Sequence, residues 1–184
     1  MYQRTLIVGA LLLSSSWAIA QVEPTAYRNQ NTLALGGFYS SFDTDYQTNR
    51  MAGAGVYADW SPAILGHLGA EAEARWLIFN SFHDFSEYNY LIGPRYRFPA
   101  YNRLQPYAKL LLGAGEVNFP YQLAHGGYFA LAPGGGIDFV VTRRWTMRVD
   151  YEYQIWPSAV GIPGIQSNSL KPNGLSVGIG YRIF

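Results

Sequence analysis

Trp145-Thr146-Met147-Arg148-Val149-Asp150-Tyr151-Glu152-Tyr153-Gln154-Ile155-Trp156 is the stretch whose reading decides the fold. Its odd positions carry Trp, Met, Val, Tyr, Tyr and Ile; its even positions carry Thr, Arg, Asp, Glu and Gln, with Trp156 closing the end. Successive side chains of a β-strand point to opposite faces, so the segment has one apolar, aromatic face and one charged face. Two surroundings suit such a strand. One is a wall between lipid and a polar interior; the other is a soluble sandwich with a core on one side and water on the other.

Seven further segments flank it, giving eight candidate strands at roughly 32–41, 50–60, 66–79, 86–98, 105–117, 126–141, 145–156 and 173–184. Many exceed the usual five or six residues of a globular strand and suit a tilted membrane strand of about 9–11. The connections alternate in kind. Short ones lie at 61–65, 99–104 and 142–144, while those near 42–49, 80–85, 118–125 and 157–172 are polar or rich in Gly and Pro and longer on average. Short turns at one rim and longer loops at the other are the asymmetry of outer-membrane barrels. The expected fold is all-β, an eight-stranded antiparallel transmembrane up-and-down β-barrel.

Parity carries the same message along the chain. The third segment places Leu68, Ala70, Ala72, Ala74, Trp76 and Ile78 on one face, with Glu71, Glu73 and Arg75 on the other. The fourth opposes Tyr88, Tyr90, Ile92, Tyr96 and Phe98 to Asn89, Arg95 and Arg97. Asp59, Lys109, Asp138 and Arg182 likewise alternate with apolar neighbours. The expected lumen therefore holds Asp59, Glu71, Glu73, Asp138, Asp150 and Glu152 against Arg75, Arg95, Arg97, Lys109, Arg148 and Arg182. Six acids face six bases, the balance that pairing of buried charges requires. Eight strands leave an interior just wide enough for side chains to fill, so the charges should meet one another and plug the lumen.

Aromatic residues on the opposite face, with Trp60, Trp76, Tyr96, Phe98 and Trp156 near strand ends, read as an interfacial girdle. Gly53 and Gly55, Gly113 and Gly115, Gly134 and Gly136, and Gly178 and Gly180 form i, i+2 pairs on the lumen face. There they would make room for long arginine and glutamate side chains and let the wall bend. Gly134-Gly135-Gly136 lacks the Lys-Ser/Thr and helix of a phosphate-binding loop.

Residues 1–20 have an early cation, Arg4, an apolar run from Leu6 to Leu13, and Ala18-Ile19-Ala20 before Gln21. This is the layout of a cleaved secretory signal, and the run is too short for a membrane-spanning helix. The expected mature chain, 21–184, is a single outer-membrane β-barrel domain. Losing Arg4 takes thirteen cations to twelve against twelve carboxylates, a net charge of zero. A neutral chain without a basic run gives no footprint for nucleic acid. The absence of cysteine excludes disulfides, thiolate metal sites and a cysteine nucleophile.

Several stretches together resemble the small outer-membrane β-barrel family, the OmpA-like transmembrane domains and their opacity-protein relatives. They are Tyr90-Leu91-Ile92-Gly93-Pro94-Arg95-Tyr96, Gly134-Gly135-Gly136-Ile137-Asp138-Phe139, Arg144 to Tyr153, and Gly180-Tyr181-Arg182-Ile183-Phe184. The likeness implies residence in the bacterial outer membrane, among lipid and lipopolysaccharide, after export through the inner membrane. It also implies that the assembly machinery reads the last strand through Tyr181 and Phe184. Phe184 departs from the pattern: the apolar parity of that strand runs Leu175, Val177, Ile179, Tyr181, Ile183, so the terminal residue is out of phase by one.

Some barrels of the family this chain resembles modify lipid A, which makes its three histidines candidate catalytic groups. His83-Asp84 with Ser81 and Ser86 is the only cluster suggesting a serine–histidine–acid set, and spacing alone does not bring them into contact. It reads as a polar loop tip, and the His-x-Ser-Asn signature of the deacylase relatives is missing. His67 sits at the edge of a short turn and His125 at a loop-to-strand junction. Asp43-Thr44-Asp45 lacks the glutamate and glycine of a calcium loop. No catalytic residue, cofactor or metal is expected. The leading function is a non-enzymatic barrel with a structural or surface-interaction role through its long loops. The alternatives are a narrow porin-like pore for small solutes and a lipid A-modifying hydrolase.

Overall fold

The computed structural model describes residues 31–45, 49–79, 86–118, 125–157 and 169–184. The expected signal segment, 1–20, lies outside them. Alternation of outward apolar and inward polar residues builds eight strands: β1 (Thr32–Asp43), β2 (Met51–Ser61), β3 (Leu68–Phe79), β4 (Ser86–Arg97), β5 (Leu104–Asn118), β6 (His125–Val140), β7 (Trp145–Tyr153) and β8 (Asn173–Arg182). Each pairs antiparallel with the next, and β1 pairs antiparallel with β8, closing the barrel. Closure satisfies backbone groups between strands and leaves no edge, the condition for crossing lipid with strands. Across the β1–β8 seam Ser40 and Ser176 face each other, their hydroxyl oxygens 2.7 Å apart. No helix among the described residues is long and apolar enough to cross a membrane.

The outward face is an apolar belt that includes Leu35, Val56, Ile92, Leu110, Val149, Val177 and Ile179, all exposed. In a soluble sandwich one such face would be covered; here the whole circumference is uncovered, as a lipid-facing wall requires.

The strand boundaries match the alternation to within a few residues, and the departures have local causes. The segment expected from 66 begins at Leu68, because a single-turn 3-10 helix (Ala63–Leu65) ends at Gly66, whose φ of 61° favours glycine and whose N–H donates to Ala63 O. The β4–β5 connection closes with Asn102 at φ 54° and reciprocal hydrogen bonds between Tyr101 and Leu104 of 2.9 and 3.0 Å. The regular ladder of β7 ends at Tyr153, short of the expected 156; Ile155 and Trp156 continue as isolated bridges to Leu131 and Leu170.

Candidate functional site

The described residues put the chemistry of this chain inside the barrel. The inward positions predicted by parity hold Asp59, Glu71, Glu73, Arg75, Arg95, Lys109, Asp138, Arg148, Asp150 and Glu152, all buried. Arg95 pairs with Asp59, Asp138 and, at 2.9 Å, Glu71. Arg148 lies 2.8 Å from Glu71, 2.9 Å from Asp138 and 3.7 Å from Asp59. Arg75 reaches Glu152 at 2.7 Å and Glu73 at 3.1 Å. Lys109 Nζ sits among four carboxylates: Glu73 at 2.5 Å, Asp150 at 3.0 Å, Glu152 at 3.1 Å and Glu71 at 3.4 Å.

Which strands these pairs join matters more than how many there are. Arg148 on β7 meets Glu71 on β3, and Arg75 on β3 meets Glu152 on β7. In an eight-stranded ring, strands three and seven stand opposite each other, so these contacts cross the lumen. Lys109 on β5 touches both walls at once. Neighbour-to-neighbour pairs would stay along the wall, whereas these pairs run across the diameter.

Arg97 and Arg182, counted among the six bases, lie toward the short-turn end of the barrel. Both are partly buried, and Arg97 donates to Thr32 Oγ1 at 3.0 Å. The central ion pairs therefore join six carboxylates to four bases. Neutral donors supply part of the remaining hydrogen bonding: the Tyr107 hydroxyl donates to Asp150 at 2.5 Å and Gln154 Nε2 to Glu152 at 2.8 Å. Glu73, Asp150 and Glu152 bring carboxylate oxygens within 4.8 Å of one another, a spacing a cation could use. The ammonium of Lys109 already lies against all three.

The aromatic residues inside the barrel are a correction to the expected partition of rings toward lipid. Tyr57, Tyr107, Phe38 and Phe42 are buried, and Trp156, expected in the girdle, is fully buried. The Arg148 guanidinium lies 3.8 Å over the Tyr57 ring and that of Arg95 3.7 Å over Tyr107. Arg75 covers Phe42 at 4.2 Å and Phe38 at 5.3 Å. Stacking on a ring face is a favourable use of a desolvated guanidinium. Trp156 Nε1 donates to Gln154 Oε1 at 2.8 Å, and its ring stacks on Tyr128. With Leu91, Leu111, Val117, Ala130, Ala132 and Leu170 it forms an apolar cluster on the long-loop side of the charges, beside the smaller group Phe42, Met51 and Leu77.

The inward glycines accommodate these rings, which corrects the expectation that they chiefly make room for arginine and glutamate. A Cβ at Gly55 would overlap the Phe38 ring, at Gly115 that of Trp156, and at Gly180 the Tyr57 hydroxyl. At Gly53 and Gly113 it would strike the backbone of the neighbouring strand, so these glycines permit close strand approach. Lys109, by contrast, does lie over a glycine, Gly134.

Tyr57, Tyr107 and Gln154 share the parity of Asp59, Lys109 and Glu152, so alternation alone was enough to place them inside. Glu87, buried and accepting from Asn89 Nδ2 at 2.9 Å, belongs to the same face. At the opposite, outward parity, Tyr181 stacks edge-on with Trp145, their ring centroids 5.0 Å apart. Phe184 is exposed at the end of the chain. His67 packs against Tyr96 at the short-turn rim, 5.8 Å between centroids. Ser81, His83 and Asp84 lie outside the described residues; Ser86 opens β4.

The family model of the outer membrane protein beta-barrel domain matches residues 6–182. Among solved structures, Neisserial surface protein A (NspA) superposes with a TM-score of 0.61 at 14% identity, covering 82% of this chain and 96% of that one. The N-terminal β-barrel domain of Pseudomonas aeruginosa OprF gives 0.56 at 12% identity, covering 84% and 98%. Ail, the attachment invasion locus protein of Yersinia pestis, in complex with the heparin analogue sucrose octasulfate, gives 0.53 at 18% identity, covering 83% and 97%. At these identities the likeness is one of fold. No curated protein matches the sequence.

Proposed function

Because the chain belongs to the outer membrane protein beta-barrel domain family, we propose that it is a non-enzymatic integral outer-membrane barrel plugged by its own side chains. Its rigid body holds the long loops at the exterior, for surface contact or for envelope integrity. The observation that carries this reading is the pairing across the diameter: Arg148 with Glu71 and Arg75 with Glu152, backed by ring stacking and by the apolar cluster beyond. A water-filled path through that layer would have to separate charges that are almost wholly buried.

A surface role is supported by architecture. The structure of Ail with a heparin analogue concerns a barrel of the same fold, and in this chain the long-loop rim is the proposed place for a ligand. Lipid and lipopolysaccharide surround the apolar belt. Tyr181 and the terminal Phe184 are the proposed contact with the assembly machinery. No catalytic step is assigned to this barrel; His67 packs on an outward tyrosine at the short-turn rim, and His83 lies outside the described residues.

The experiment is conductance in planar bilayers. The purified barrel should stay at the background of protein-free membranes. Stepwise, protein-dependent conductance would refute the plug and favour the narrow pore.

A further inference from the structure

The rim formed by the short turns has a composition that the plugged barrel does not explain. Its three turns, 62–67, 98–103 and 141–144, contain Arg103, Arg143 and Arg144 and no carboxylate side chain. Arg143 and Arg144 are exposed, and Arg103 O accepts from Val140 N at 2.9 Å, which puts Arg103 on the turn next to theirs. The opposite rim is mixed in charge, with Asp43, Asp45 and Glu116 exposed beside Arg50 and Lys171.

The same turns expose large apolar groups at their tips. Ile64 is 91% exposed and Tyr101 75%, and Leu65 is also uncovered. A tight turn facing bulk water normally carries polar residues. Apolar tips beside cations suit the boundary of a bilayer, where hydrocarbon and phosphate lie within a few ångströms. Arg144 is held at that depth: its Nη1 donates to the Tyr181 hydroxyl at 2.8 Å, and Tyr181 packs on the exposed Trp145. Tyrosine and tryptophan are the side chains that settle at the headgroup level.

We propose that this rim binds the headgroups of anionic phospholipids in the periplasmic leaflet, with Arg143 and Arg144 contacting phosphate and Trp145 and Tyr181 fixing their height. The inference rests on the outer-membrane reading above, which sets the short turns on the periplasmic side. Arginine gives a planar fork of donors that matches phosphate oxygens, and each cation near an anionic lipid surface adds attraction.

The test is native mass spectrometry of the folded barrel, extracted in detergent and offered equimolar phosphatidylglycerol and phosphatidylethanolamine. Phosphatidylglycerol should be retained preferentially. An Arg143→Ala, Arg144→Ala double variant should lose about tenfold of that retention and the preference with it. Arg50→Ala, on the opposite rim, should change neither. Equal retention of both lipids by the unaltered chain overturns the proposal, as does a preference that survives the double substitution, which would leave these arginines to an acidic protein partner. Heat-modifiable gel migration of each variant reports the barrel separately. A band that does not shift speaks against the membrane-barrel reading itself, whereas a shifted band without lipid preference speaks against this inference alone.

Discussion

Replacing Lys109 by alanine should be among the most damaging single changes to this barrel. The ammonium lies within 3.4 Å of Glu71, Glu73, Asp150 and Glu152, and its side chain is 0% exposed. Without it, four carboxylates face a space from which their common counter-charge has gone. Removing one partner of a buried ion pair costs about 3–5 kcal/mol, because a charge is left uncompensated. The loss should not multiply by four. Arg75 still holds Glu73 and Glu152, Arg95 and Arg148 still hold Glu71, and Tyr107 still donates to Asp150. The expected destabilisation therefore stays at about 3–5 kcal/mol.

Reversible urea titration in lipid vesicles, followed by heat-modifiable migration, measures it. Adding Glu73→Gln to Lys109→Ala should recover part of the loss, since it reduces the excess of negative charge left around the vacated position. Coupling between the two sites should then exceed about 1 kcal/mol in a double-mutant cycle. A Lys109→Ala loss below about 1 kcal/mol would mean that water reaches these carboxylates freely, and strict additivity would mean that Lys109 and Glu73 do not interact. Either result would refute the buried network.

Two other substitutions test the partition between the faces. Gly115→Val should destabilise by about 1–3 kcal/mol, because the added methyls enter the space of the Trp156 ring. Combining it with Trp156→Ala should cost less than the sum of the separate losses, as read from the same urea titrations; additive losses would show that the ring and the glycine do not share that space. Val149→Arg, on the outward face opposite the lumen charges of β7, should cost about 2–4 kcal/mol in vesicles if that position lies near the bilayer midplane. Near-neutral behaviour would place that face in water.

Much of this was legible in the sequence because strand geometry is local. Arg148, Asp150 and Glu152 alternate with Val149 and Tyr151, and a two-residue period assigns them to one face whatever the rest of the chain does. The eight segments and the two kinds of connection followed from the same pattern. Harder to read were Trp156 and the lumen glycines. An aromatic residue near a strand end fits a girdle, yet Trp156 shares the even parity of Glu152 and Gln154; its seat over Gly115, with Gln154 accepting its indole N–H, shows that parity prevails and that it points inward.

The sequence by itself determined which side of the wall each alternating residue takes, since alternation needs nothing beyond the neighbouring peptide units. The tertiary structure decided who meets whom. Parity is blind to height along the barrel axis and to which strand stands opposite. It could therefore match six acids with six bases, but not show that Arg97 and Arg182 lie at the rim while Glu71 and Arg148 meet across the centre. Closure and register set those distances. They turn a count of charges into contacts that span the lumen, and the strength of an electrostatic interaction depends on such distances and on exclusion of water, neither of which a linear pattern contains.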